Sequence, residues 1–175
     1  MAEEVFGMRK TLEVINELKD KGLIKDYAIG GAIAVLKWTE PFFTRDLDIF
    51  IISAKEVKEK ELMLFFPIYD YLKSKGYNKW VGQWIIIEGV TVEFLPAEGL
   101  ANEAVENAVE TEFEGVKTKV MLAEYLIALL LKVMRDKDII KIKMLLEQAS
   151  VKMEKLKQIL SRYNLTEKLI PFIKD

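Results

Sequence analysis

Two carboxylates separated by one residue are the side chains best placed to do chemistry. Asp46 and Asp48 begin an apolar run that continues to Ile52. Side chains alternate along a strand, so the two acids would share one face while Leu47 packs on the other. Adjacent carboxylates repel each other unless a cation lies between them. The pair therefore indicates a metal site, unless both acids are exposed or are bonded to Arg45 and a helix N-terminus.

A glycine pair, Gly30-Gly31, precedes these acids. It follows a short apolar strand, Tyr27–Ile29, and opens a brief helix over Ala32–Lys37. The free N–H groups at the start of this helix would point toward a ligand bound in front of the glycines, and phosphate is the ligand most often bound in this way. The spacing is neither a Walker loop nor a Rossmann fingerprint. A plain tight turn is the alternative.

The residue types narrow the chemistry. The 175-residue chain has no Cys and no His, which excludes disulfides, thiolate sites, Ser-His-Asp catalysis and His-ligated zinc. Any metal must then be held by carboxylates and carbonyls, so Mg²⁺, Mn²⁺ or Ca²⁺ is favoured. The net charge is −2, yet residues 132–175 contain 11 basic and six acidic residues. Unless these are only solvated helix faces, the basic part would attract phosphate.

Hydrophobic periodicity predicts the elements that position these residues. The expected strands are Leu47–Ile52 and a hairpin of Trp84–Glu88 with Val90–Leu95. Helices are expected over residues 3–21, 55–75 and 100–109, the second of them in two pieces because of Pro67. After Val120 the chain is expected to form four helices, with boundaries near Asp136, Ser150 and Asn164 or Thr166. Residues 111–119 are expected to be an extended or irregular connection. The sequence thus predicts an α/β (α+β) fold, with a small mixed sheet over residues 1–110 and a helical portion over 111–175.

The order of these motifs resembles a known signature. The combination consists of Gly-Gly, a short helix, a loop and then Thr44-Arg45-Asp46-Leu47-Asp48-Ile49. It resembles the signature of the polymerase-β-type nucleotidyltransferase superfamily. The resemblance is to its small prokaryotic members, which are related to abortive-infection and toxin–antitoxin transferases. That family has a third acid on a neighbouring strand, between apolar residues. Val92-Glu93-Phe94-Leu95 matches this pattern, whereas the competing Glu88 lies at a hairpin tip with no apolar residue after it.

The resemblance implies a role for each motif. Asp46, Asp48 and Glu93 would hold Mg²⁺ or Mn²⁺, with Glu93 or a metal-bound hydroxide as the base. The other implied contacts are to nucleotide or acceptor: Gly30 and Gly31 around the β,γ-phosphates, Thr44 and Arg45 at phosphate, and Lys137 and Arg135 at the nucleotide or the acceptor.

Two positions depart from the family pattern. Arg135-Asp136-Lys137-Asp138 is similar to the family's Arg-x-Lys-Asp, which ends its helical segment. A lysine usually found midway along that helix falls on Leu130 here, and an acid usually found three residues after Asp138 falls on Lys141. Lys117 or Lys119 is the expected substitute for the missing lysine.

The resemblance implies transfer of a nucleoside monophosphate from an NTP, such as ATP, to an acceptor hydroxyl with release of pyrophosphate. The acceptor would be RNA such as tRNA, a protein, or a small molecule such as an antibiotic. The alternative is a degenerate, toxin–antitoxin-like protein that binds nucleotide or a partner protein without turnover. Leu130 and Lys141 favour the alternative, and the three retained acids favour the enzyme. A third reading is an α/β domain whose acids are incidental.

The sequence also predicts a cytoplasmic protein that does not enter a membrane. Its acidic start does not resemble a signal peptide. The apolar stretch Val120–Met134 contains Glu124 and Lys132, and it is shorter than the roughly 20 residues that a span needs. Besides the NTP and the acceptor, the expected partners are another protein or a second copy in a homodimer.

Overall fold

Seven strands form one mixed sheet in the order β3-β4-β5-β2-β1-β7-β6. The computed structural model describes residues 2–54 and 61–173. Its strands are β1 (Ile24–Gly30), β2 (Leu47–Ser53), β3 (Trp80–Val81), β4 (Trp84–Ile87), β5 (Val90–Pro96), β6 (Val109–Phe113) and β7 (Val116–Val120). Its helices are α1 (Ala2–Asp20), α2 (Gly31–Val35), α3 (Glu61–Ser74), α4 (Leu100–Glu106), α5 (Ala123–Val133), α6 (Asp136–Gln148), α7 (Met153–Arg162) and α8 (Thr166–Leu169), followed by the 3₁₀ turn Ile170–Phe172.

The central strand β2 brings separate sequence motifs into register. It pairs antiparallel with β1 and parallel with β5. Gly30 of β1 lies opposite Asp48, and Asp48 lies opposite Glu93 of β5. Directly paired residues point to the same face of a sheet. The register therefore places a glycine, an aspartate and a glutamate side by side across three strands.

The two faces of β2 have different environments because its side chains alternate. Leu47, Ile49 and Ile51 are at most 4% exposed and belong to the main hydrophobic core. They share their face with Tyr27 of β1, whose hydroxyl donates to Asn16 of α1. Asp48 lies on the opposite face, which the helices α2, α5 and α6 border. One face of the strand thus supports the fold and the other is available for chemistry.

The C-terminal helices pack mainly on one another and on α2 and α4. Seven of the eleven residues of α5 are buried, and the helix ends where Met134 adopts a left-handed φ of 52°. Helix α6 then begins after Arg135, whose backbone N–H donates to Asp138 at 3.1 Å. The predicted division of this region into four helices agrees with the structure. None of the described helices combines the length and apolar character needed to cross a membrane.

The segment expected to be an irregular connection is instead a β-hairpin. Strands β6 and β7 pair antiparallel around a turn at Glu114-Gly115, where φ is 47° and 80°. Glu110 faces Lys119 and Glu112 faces Lys117 across the pair, which places opposite charges together. Strand β7 also joins β1 in parallel. The signal in the sequence was the alternation of Val, Thr and Phe with charged residues.

The expectation that Pro67 divides a helix was also wrong. Pro67 lies inside the continuous helix α3, while residues 55–60 of the expected segment are outside the described residues. Proline lacks the N–H that would make one hydrogen bond of the helix. Pro67 lies on the exposed side of α3, whereas Ile68 and Leu72 are buried and hold the helix against the core. The helix ends at Ser74, and Gly76 follows with a φ of 95°, as expected for a glycine after a helix C-terminus.

Candidate functional site

The first wall of the candidate site is acidic. Asp46, Asp48 and Glu93 line one cleft at the start of β2 and beside the middle of β5, with a volume of about 400 Å³. Burial raises the pKa of Asp48 to about 6, and the charges of Glu93 and Asp46 add to this effect. Burial and the charge of Asp46 likewise raise the pKa of Glu93. The three carboxylates thus repel one another in a partly desolvated place.

The donor set suits a hard divalent cation. All three side chains offer carboxylate oxygens, the ligands that Mg²⁺ and Mn²⁺ prefer, and a cation would relieve the repulsion that raises the pKa of Asp48. Within the described residues, however, no three acidic side chains lie close enough together to hold a metal ion. Asp46 instead accepts a hydrogen bond from Thr91 at 2.6 Å, and Glu93 accepts one from Gln83. Binding of a metal by all three acids would therefore require side-chain rotation.

The glycine pair is fixed by contacts with β2. Gly31 has a left-handed φ of 59°, and a Cβ at this position would fall on the Asp48 carboxylate. At Gly30 the extra atom would lie 2.5 Å from the ring of Phe50. Gly31 and Ala32 line the cleft, and both belong to the five-residue helix α2. Glycine at position 31 therefore allows the backbone to approach Asp48 closely.

The second wall of the cleft is basic. Arg135, Lys137 and Lys141 line it, from the start and first turns of α6. Buried Asp138 accepts hydrogen bonds from the Arg135 guanidinium at 2.9 and 3.1 Å. Burial alone would raise the pKa of Asp138, but the bonds from Arg135 outweigh it and lower this pKa. Asp138 therefore stays ionised and holds the guanidinium beside the cleft.

Aromatic side chains form the rim between the two walls. Phe42, Phe43 and Trp84 line the cleft. Phe43 is 82% exposed, and the guanidinium of Arg45 lies 5.1 Å from its ring centroid. Among the described side chains, the buried indole N–H of Trp84 has no hydrogen-bond partner. The rim thus offers an exposed ring, and Trp84 retains an unused donor.

The structure brings most of the candidate residues from the sequence into this cleft. The residues that line it are Gly31, Thr44, Asp46, Asp48, Glu93, Arg135 and Lys137. Gly30 packs on Phe50 instead, and Arg45 reaches the site only through Phe43. The competing acid Glu88 accepts a hydrogen bond from Tyr77 at the hairpin tip.

The expected substitutes for the missing lysine are not in the cleft. Lys119 forms an ion pair with Asp26 at 2.6 Å, and Lys117 lies on the same hairpin. Lys141, which looked like a departure in the sequence, lines the cleft together with Leu130. Its spacing of four residues from Lys137 predicts a shared helix face and could have identified it. Gln83 was also missed, and its sequence context carries no comparable signal.

Asp48 makes the stability of the protein dependent on pH. The folded state binds the Asp48 proton more tightly than the unfolded chain, because its pKa rises from 3.8 to about 6. In EDTA, the contribution of Asp48 to the free energy of unfolding should therefore fall as pH rises from about 4 to about 6, by on the order of 2–3 kcal/mol. Urea titrations of the wild type and Asp48→Asn would measure this, with the variant gaining relative stability over that window. Parallel curves for the two proteins would contradict the assignment.

Comparisons with known proteins identify the family of this chain and similar folds. The family model described as nucleotidyl transferase of unknown function (DUF2204) matches residues 7–173. The fold is similar to a crystal structure of an antigenic nucleotidyltransferase-like protein from Paracoccidioides brasiliensis, with a TM-score of 0.53 and 16% identity over 97% of this chain and 94% of that chain.

Two structures of the antibiotic-resistance factor ANT(2'')-Ia are similar as well. The solution structure has a TM-score of 0.52 and 16% identity over 94% of this chain and 95% of that one. The crystal structure, a complex with adenylyl-2''-tobramycin, has the same TM-score and identity over 91% and 96%. At this identity the likeness concerns the fold, and the predicted mixed-sheet nucleotidyltransferase architecture is confirmed. Together with the match over nearly the whole chain, it shows that this protein belongs to the nucleotidyl transferase family described as DUF2204.

Proposed function

We propose that this protein is a metal-dependent nucleotidyltransferase that moves a nucleoside monophosphate from an NTP, such as ATP, to an acceptor hydroxyl. The observation that carries the proposal is the division of one cleft into an acidic and a basic wall. A metal–triphosphate complex presents positive and negative charge at neighbouring points. The acidic wall would therefore attract the metal ion, and the basic wall would attract the phosphates. The match to the nucleotidyl transferase family supports the same class of reaction.

The proposed reaction is a displacement at phosphorus. The acceptor oxygen forms a bond to the α-phosphorus, the bond between this phosphorus and the bridging oxygen of the β-phosphate breaks, and pyrophosphate leaves. Glu93 would take the acceptor proton, since burial already raises its pKa. Asp46, Asp48 and Glu93 would hold Mg²⁺ or Mn²⁺, which supplies charge neutralisation for the triphosphate when bound.

The remaining cleft residues would bind and orient the NTP. Gly31 and Thr44 lie where backbone and hydroxyl groups could contact phosphate. Arg135, held by buried Asp138, would present a fixed guanidinium to a phosphate oxygen, for which its planar fork is suited. Lys137 would add charge at the exposed edge. Phe43 is exposed enough to stack on a base or an acceptor ring.

A non-catalytic, toxin–antitoxin-like binder is the second candidate. The observation that favours it is the hydrogen bond from Thr91 to Asp46, which occupies an oxygen of one acid that a shared metal would need, while no three acids within the described residues lie close enough to hold a metal ion. Such a protein would bind nucleotide or a partner protein through the same cleft without turnover. Turnover therefore separates the two candidates.

Release of pyrophosphate is the direct test of the enzyme. We expect wild-type protein with Mg²⁺ or Mn²⁺ to release pyrophosphate from at least one NTP when tRNA, a protein extract or an aminoglycoside supplies the hydroxyl. Chelation with EDTA should abolish the release, because the acidic wall would lose its cation.

The outcomes of that assay are distinct. Transfer of labelled nucleotide to one class of acceptor identifies the substrate. Binding of NTP without release to any acceptor supports the second candidate. The absence of NTP binding, measured calorimetrically with both metals present, contradicts both candidates.

A further inference from the structure

Lys141 is a cation for which the described residues provide no ionic partner. Its side chain is half-buried and lines the same cleft as the acids. Its Nζ donates only to the carbonyl oxygen of Lys137, at 3.2 Å, and forms no ion pair within the described part of the chain. Lysine is almost never fully buried unless it is paired, because removing a charge from water costs free energy unless a partner compensates. The position of Lys141 therefore carries a cost that a bound anion would offset.

The nearest acid is already used. Asp138 lies one helical turn before Lys141, but its two oxygens accept three hydrogen bonds from Arg135. Burial lowers the pKa of Lys141, the charge of Asp138 opposes this, and Lys137 and Arg135 add to the lowering. Three cations thus surround one buried carboxylate, and the excess positive charge faces the cleft.

One of the side chains that line the cleft near α6 is apolar. Leu130 of α5 lines the same cleft and offers no charge. Lys137 is exposed, so its ammonium can remain hydrated, whereas Lys141 lies deeper between α6 and the cleft. A hydrogen bond from a partly desolvated ammonium to an anion is stronger than one made in water.

We propose that Lys141 is the main side chain of α6 that binds the terminal phosphates of the NTP, and later the departing pyrophosphate. This proposal rests on the proposed function and adds a specific residue to it. Lys141 contributes its charge from α6, in the cleft that Leu130 of α5 also lines. No proton transfer is assigned to it, because its role is to bind and position anionic oxygens.

Calorimetric titration with inorganic tripolyphosphate in the presence of Mg²⁺ tests this role without catalysis. We expect K141M to weaken tripolyphosphate binding about 10- to 100-fold, the usual effect of losing a hydrogen bond to a charged group. K143M is the matched control, since Lys143 is exposed on the same helix and does not line the cleft. K141R should retain most of the affinity, because it keeps the charge.

The results separate this proposal from the function on which it rests. If the wild type and K141M bind tripolyphosphate equally well, Lys141 is not the phosphate ligand while the proposed function stands. If the wild type binds neither tripolyphosphate nor NTP, the proposed function itself fails. Binding of an unphosphorylated nucleoside should be equal in the wild type and K141M. A loss there instead would show that the substitution damages the whole cleft, which overturns the specific role.

Discussion

Asp48→Asn should lower kcat/KM for pyrophosphate release by at least about 100-fold. Asp48 is central to the acidic wall, paired in register with Gly30 on one side and Glu93 on the other. An amide keeps the shape of the side chain and removes the charge that would hold the metal. Metal ions supply several kcal/mol of charge stabilisation in phosphoryl transfer, and each 1.36 kcal/mol corresponds to a tenfold rate.

The same substitution should leave the fold intact, which separates chemistry from stability. Removing a carboxylate whose pKa is raised to about 6 relieves repulsion, so the free energy of unfolding at pH 8 should be equal or higher in the variant. Asp70→Asn is the matched control, because Asp70 is exposed on α3 and away from the cleft. Full activity in Asp48→Asn would refute the metal-dependent mechanism, and equal losses in both variants would point to a general effect of charge.

The acids could be predicted from sequence because strand geometry relates them directly. Alternation along β2 places Asp46 and Asp48 on one face, whereas Glu93 was identified by its resemblance to the third acid of the nucleotidyltransferase pattern. The structure adds the register, which places Glu93 opposite Asp48 rather than two residues away. Register depends on contacts between distant segments, and no local pattern in the sequence specifies it.

The basic wall was harder to predict because it depends on how α6 packs. Periodicity predicts that Lys137 and Lys141 share a face of the helix, but it does not indicate which face meets the cleft. Lys119 was a reasonable candidate until the hairpin β6–β7 placed it beside Asp26. The bond between Thr91 and Asp46 was equally hidden, since it joins residues 45 positions apart.

Gly31→Ala should have the largest effect on stability among single substitutions at the cleft. Two costs coincide at this position. A left-handed φ of 59° strains any residue with a Cβ, and the added atom would overlap the Asp48 carboxylate. Strained backbone alone costs on the order of 1–3 kcal/mol, so we expect a loss of at least about 3 kcal/mol in the free energy of unfolding, together with loss of pyrophosphate release.

Gly22→Ala isolates the first of these costs. Gly22 has a similar φ of 69°, and a Cβ there would meet nothing within 4 Å. Chemical denaturation of both variants should show the smaller loss at Gly22, and the difference between them measures the overlap with Asp48.

A double-mutant cycle tests the overlap directly. Asp48→Ala removes the carboxylate, so Gly31→Ala should cost less free energy of unfolding in that background. If Gly31→Ala costs the same with and without the Asp48 carboxylate, the close approach of the glycine backbone to the acid has no energetic consequence. A coupling of 1 kcal/mol or more, within the roughly 0.5–3 kcal/mol seen for residues in contact, would show that the glycine motif and the acidic motif act as one unit. The glycine would then be needed to leave room for the acid.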